Sequence, residues 1–136
     1  MGKHLKLISA TATPRPTVTF EMTITPNFGN RLDNMHGGAV ALVYDMCTTM
    51  AVAPISRKDF WHFGGVSRTL SVTYLRPARG GTRIVIECEV LQIGTRLGKH
   101  SLCLAWLVVA VMDKDANELT LPACVSHNSR SDEAKG

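Results

Sequence analysis

One segment limits the possible folds more than any other. Between Gly38 and Ala53, Val40, Val43, Cys47 and Met50 recur at steps of three and four residues, the period of an α-helix, and Pro54 stops the run. The remaining regular stretches read as strands. A single helix of about sixteen residues cannot hide its apolar surface alone, but a curved antiparallel sheet wrapped around it can. The predicted class is therefore α+β, with one long central helix.

The strands follow from composition and alternation. Residues 5–12 and 17–25 are β-branched and separated by "PRP", and "PNFGN" breaks the second. "VSRTLSVTYL" (66–75) sets Leu70, Val72 and Tyr74 against Ser67, Thr69, Ser71 and Thr73. "TRIVIECEVLQI" (82–93) sets Ile84, Ile86, Cys88 and Val90 against Glu87 and Glu89. "HSLCLAWLVVAVMD" (100–113) is apolar on both faces, as a central strand would be. A turn at "DKDAN" leads to a last strand, "ELTLPACVSH" (118–127). Residues 1–127 are expected to form one domain, and the polar tail 128–136 ("NSRSDEAKG") to be disordered. The segment "ISRKDFWHFGG" reads as a loop.

Composition narrows the function. With 45% hydrophobic and 19% charged residues, the chain reads as soluble and globular. The most apolar run, 102–112, is about half the roughly 20 residues that cross a bilayer, so no membrane insertion is expected. The net charge of +4 comes without the lysine and arginine runs of a nucleic-acid module, so no nucleic acid is expected as a partner. The dense group Arg76, Arg79 and Arg83 in "RPARGGTR" suits a phosphorylated small molecule or a solvated loop. The four cysteines are far apart and no secretory signal is present. That implies reduced thiols, no zinc site and an intracellular, non-secreted protein. The first twenty residues lack acids, as in mitochondrial transit peptides, but two prolines and β-branching oppose a targeting helix. Cytoplasm and mitochondrion both stay open.

The stretch 30–52, "NRLDNMHGGAVALVYDMCTTMAV", carries the chemistry. Gly37 and Gly38 begin the helix, where the first amides lack intrahelical acceptors and carry the positive end of the dipole. A ligand oxygen can approach glycine amides closely, so the helix start reads either as an oxyanion site or as a plain glycine terminus. His36 just before it reads as a pocket wall, a turn-setting hydrogen-bonding group or an acid. Asp45 shares a helix face with Ala41, Leu42, Thr48 and Thr49, and leucine, alanine and valine would be a poor way to cover a face turned to water. An aspartate on such a face has a partner or a function. Eight residues separate Gly37 from Asp45, which is roughly 12 Å at a rise of about 1.5 Å per residue. One helix cannot bring both groups to one bond. Two helices related by a two-fold axis can, so a dimer with two shared sites is expected.

Asn30, "HGG" at 36–38, an acid nine positions after the histidine and "GGVSRTLSVTYLRPARGG" together resemble the hot-dog-fold acyl-CoA thioesterases. The likeness is to the PaaI-like branch and its eukaryotic medium- and long-chain relatives, over residues 5–127. It implies hydrolysis of an acyl-CoA to a free acid and coenzyme A without a cofactor or metal. It further implies that the Gly37 amide polarises the thioester carbonyl, with Asn30 orienting that region and His36 beside it. Asp45 would activate water or attack directly, and Ser67 would position the water. Asp45 and Ser67 would come from one subunit and Asn30, His36 and Gly37 from the other, in a homotetramer built from two dimers. Arg76, Arg79, Arg96 and Lys99 are the candidates for the coenzyme phosphates, and Gly38 for substrate approach. Two other readings remain open: a hot-dog dehydratase or hydratase, whose histidine–carboxylate spacing His36 and Asp45 do not reproduce, and a non-catalytic acyl-CoA-binding module.

Overall fold

The computed structural model describes residues 4–58, 60–62, 66–96, 100–112, 119–123 and 127–130, with side chains at 4–58, 60–62, 67 and 69–93. The helical period becomes α1, Gly37–Met50, followed by a short 3₁₀ turn at Ala53–Ile55 that contains Pro54. Its buried face is turned from the expected stripe. Val43, Tyr44, Cys47 and Thr48 face the core, and Ala51 and Val52 extend that face, whereas Met50 is 46% exposed. Thr48, expected beside Asp45 on the other face, is fully buried. Its hydroxyl donates to the Tyr44 carbonyl at 2.7 Å, which offsets the cost of burying a polar group there.

The core lies between α1 and the sheet. Strands β1 (Leu5–Thr11) and β2 (Thr17–Thr23) form an antiparallel pair, and β2 continues the sheet onto β4 (Arg83–Arg96). The register sets Val18 opposite Cys88, Phe20 opposite Ile86 and Met22 opposite Ile84, all on the buried face. Side chains alternate across a strand, so one face collects the apolar residues and the other takes Glu21, Glu87 and Glu89. Fully burying a side chain such as Ile86 or Phe20 is worth about 1.5–3 kcal/mol.

Strand β5 (His100–Met112) pairs with β4 on one side and with β6 (Leu119–Ala123) on the other, the central position that its two apolar faces predict. The five-stranded order is β1-β2-β4-β5-β6, so Pro122 sits on an edge strand, where a missing N–H is tolerated. A second, two-stranded sheet joins β3 (Val66–Leu70) to β7 (His127–Arg130).

This second sheet corrects two expectations. The strand expected over 66–75 ends at Leu70, because β7 supplies a ladder only from Val66 to Leu70. Residues 128–130, expected in a disordered tail, are strand residues because they satisfy the β3 backbone. Residues 131–136 lie outside the described residues.

Among the described residues, one helical segment, Gly37–Ile55, is long and apolar enough to cross a bilayer by length and composition, with 19 residues and a mean hydropathy of 1.5. In the fold, α1 lies against β2, β3, β4 and β5 as a core helix.

Candidate active site

The loop before α1 is tied to the turn between residues 78 and 82. Met35 N–H donates to the Ala78 carbonyl and Gly80 N–H to the Asp33 carbonyl, each at 2.7 Å. Gly81 N–H donates to the Ile24 carbonyl at 2.8 Å, with Gly81 in the left-handed region at φ 79°. Inside the loop, Asn30 Oδ1 accepts from the amides of Leu32 at 2.8 Å and Asn34 at 3.2 Å. Asn30 therefore shapes the segment that leads to His36 at the helix start.

His36 is the N-cap of α1, and its Nδ1 accepts from the Gly38 amide at 3.0 Å. A neutral imidazole that accepts at Nδ1 keeps its proton on Nε2. The second glycine makes room for this ring: a Cβ at Gly38 would lie 3.2 Å from His36 Nδ1. Gly38 was expected at a point of substrate approach, but its amide is already engaged by His36. Of the two glycine amides, only that of Gly37 lacks an acceptor among the described residues.

Asp45 lies half-buried in the third turn of α1, and the Ser67 hydroxyl on β3 donates to its Oδ1. The fold thus brings together two residues 22 positions apart. The outward face of α1 around Asp45 stays apolar, with Leu42 51% exposed. Asp45 and Ser67 form one cluster, while His36 and Gly37 stand at the helix start, with Asn30 in the loop that leads to them. Gly37 and Asp45 are eight positions apart along the helix, roughly 12 Å.

The arginine group does not act as a unit. Arg83 pairs with Glu21 at 3.3 Å on the sheet. Arg79 forms a backbone bridge with Asn34, which places it beside the motif loop, and Arg76, three positions earlier, is exposed. The side chain of Arg96, and all of Lys99, lie outside the described residues.

Sequence reasoning missed Tyr74. It was expected on the inner face with Leu70 and Val72, yet it is 56% exposed, and its hydroxyl donates to the Gly37 carbonyl at 2.9 Å. Its ring carbons would stand 3.6 Å from a Cβ at Gly37. Alternation misplaced Tyr74, because the pattern runs through it while the strand itself ends at Leu70.

Behind the site, burial pushes the Tyr44 hydroxyl pKa up, and neighbouring Tyr74, Cys88 and Cys47 add to the shift. A hydrogen bond with Cys47, together with burial, raises the Cys88 thiol well above its ordinary range. Tyr44 and Cys88 are therefore protonated packing groups at neutral pH, not nucleophiles. Among the described residues, no three His, Cys, Asp or Glu side chains converge as a metal-binding group.

Comparison with known proteins places this geometry in a family. A profile described as the thioesterase superfamily matches residues 32–104, from the motif loop into β5. Mouse acyl-coenzyme A thioesterase 13 is 32% identical over 97 residues, covering 71% of this chain and 66% of the relative, just under two thirds of its length. The crystal structure of zebrafish thioesterase superfamily member 2 superposes with a TM-score of 0.65 at 27% identity, covering 91% of this chain and 80% of that one. The crystal structure of a hypothetical thioesterase protein with coenzyme A from Streptococcus pneumoniae reaches a TM-score of 0.70 at 14% identity, covering 98% of this chain and 93% of that one, a likeness of fold alone. These neighbours share the hot-dog arrangement of one long helix against an antiparallel sheet. With the profile spanning more than half of the 136 residues, this chain belongs to the thioesterase superfamily.

Proposed function

We propose that this protein is an acyl-CoA thioesterase, hydrolysing acyl-CoA to a carboxylic acid and coenzyme A. The observation that carries the reading is the Ser67–Asp45 hydrogen bond on the open face of α1, in a chain whose other motif residues present the Gly37 amide. Asp45 takes a proton from water as the oxygen adds to the thioester carbonyl, and Ser67 helps hold that water. The resulting oxyanion meets the amide of Gly37 of the partner subunit. Collapse expels the coenzyme A sulfur, which recovers the proton from Asp45. No metal is needed, because a thiolate is already a good leaving group.

The reading requires a homodimer, since one helix keeps Gly37 and Asp45 roughly 12 Å apart. The exposed Leu42 and Met50 on α1 supply apolar surface for the contact. A dimer of dimers rests on the family likeness alone. Arg79, beside the motif loop, and the exposed Arg76 are the described candidates for the coenzyme phosphates. The free buried thiols Cys47 and Cys88 fit a reducing, intracellular setting.

Release of free thiol from a panel of acyl-CoAs tests the proposal. Asp45→Asn should lower turnover by about 10²–10⁴-fold, with fold and oligomeric state kept. A variant keeping more than half of the wild-type rate refutes the role of Asp45.

A further inference from the structure

Two hydrogen bonds share one peptide unit at the start of α1. The Tyr74 hydroxyl donates to the Gly37 carbonyl at 2.9 Å, and the amide on the other side of that unit, Gly38 N–H, donates to His36 Nδ1 at 3.0 Å. The Gly37 carbonyl has a second lone pair beyond the one used within the helix, so Tyr74 adds a bond without removing one. A donor on the carbonyl oxygen polarises the peptide and strengthens its N–H as a donor, an effect of roughly 10–30% per bond.

We infer that Tyr74 is a positioning residue that acts through the Gly37–Gly38 peptide to fix the orientation and tautomer of His36. The chain runs from Tyr74 Oη–H to the Gly37 carbonyl, through the peptide to Gly38 N–H, and on to His36 Nδ1. Each link holds the next with its proton on the side away from Tyr74. The imidazole is left with its proton on Nε2, on the far side of the ring from the helix amides.

The helix start then offers the Gly37 amide and the His36 Nε2–H as donors set before any substrate arrives, which is the condition under which such donors lower a barrier. The ring of Tyr74 adds a steric element, since it lies 3.6 Å from where a Cβ at Gly37 would stand. That catalytic meaning rests on the thioesterase reading, whereas the relay itself is a property of the free protein.

The test separates the two. Tyr74→Phe keeps the ring against Gly37 and removes only the hydroxyl. In ¹H–¹⁵N spectra of the substrate-free protein, the Gly38 amide proton should move upfield, and the His36 ring nitrogens should shift towards a mixture of tautomers. With acyl-CoA, kcat should fall about 3- to 10-fold, the weight of one hydrogen bond, with KM unchanged. In a His36→Ala background the same substitution should cost nothing further.

The opposite perturbation gives a second readout. The chain has two tyrosines, so 3-fluorotyrosine in a Tyr44→Phe chain places a stronger donor at position 74 alone. The Gly38 amide should then move downfield. Gly38 and His36 signals unmoved by both changes overturn the inference, as does a full loss of kcat from Tyr74→Phe when His36 is absent. A protein that hydrolyses no acyl-CoA yet shows both spectral shifts refutes the thioesterase reading and leaves the relay standing.

Discussion

Mixing two inactive variants tests the shared site directly. Asp45→Ala removes the carboxylate, and Gly37→Val fills the space in front of the helix-start amide. A Cβ at Gly37 would stand in van der Waals contact with the Tyr74 ring at 3.6 Å, and the two further methyl groups of valine add bulk beside the helix-start amide. Loss of the base costs about 10²–10⁴-fold, and loss of an oxyanion donor about 10²–10³-fold. Each parent should therefore retain about 1% of wild-type activity or less. Random exchange makes about half of the dimers mixed, and each mixed dimer has one site with both lesions and one with neither. About a quarter of wild-type activity should return. The assay is thiol release before and after subunit exchange, with circular dichroism and sedimentation showing that each parent is folded and dimeric. Folded, exchanging subunits without recovery would show that Gly37 and Asp45 of one site belong to the same chain, against the roughly 12 Å that one helix imposes.

Three further outcomes follow from single contacts. Ser67→Ala deletes the donor to Asp45 and should lower kcat about tenfold or more, as expected for a hydrogen bond to a charged group; an unchanged kcat would remove Ser67 from the mechanism. Gly81→Ala places a side chain at φ 79° and should lower stability by about 1 kcal/mol in urea unfolding; a midpoint equal to or above wild type would contradict the left-handed turn. Cys88 and Tyr44 hold their protons more tightly when folded, so their contribution is complete below the ordinary values of 9.0 and 10.0 and is lost as pH rises above them. Stability should fall by about 1.4 kcal/mol per pH unit for each group, starting near the lower of these values, and a Cys88→Ala/Tyr44→Phe variant with the same alkaline slope would refute the assignment.

Local signals determined much of this protein. The three- and four-residue spacing from Val40 to Cys47 specified α1, because burial of a helix follows its turn. The alternation of Ile84, Ile86, Cys88 and Val90 specified β4, because successive strand residues face opposite sides. The spacing of Gly37 and Asp45 alone separated the two halves of the proposed site, because the rise of a helix is constant. Other features depended on contacts between distant segments. Thr48 lies with the core, and Met50 outside it, because of the face that α1 turns to the sheet. Strand β3 stops at Leu70, and residues 128–130 are ordered, because β7 pairs with β3 across some sixty positions of sequence. The contacts from Ser67 to Asp45 and from Tyr74 to Gly37 span 22 and 37 positions, and no local period encodes them. Sequence periodicity reports that an element has a buried side; which residues fill that side of α1, and which neighbour each element meets, are decided only when the elements pack.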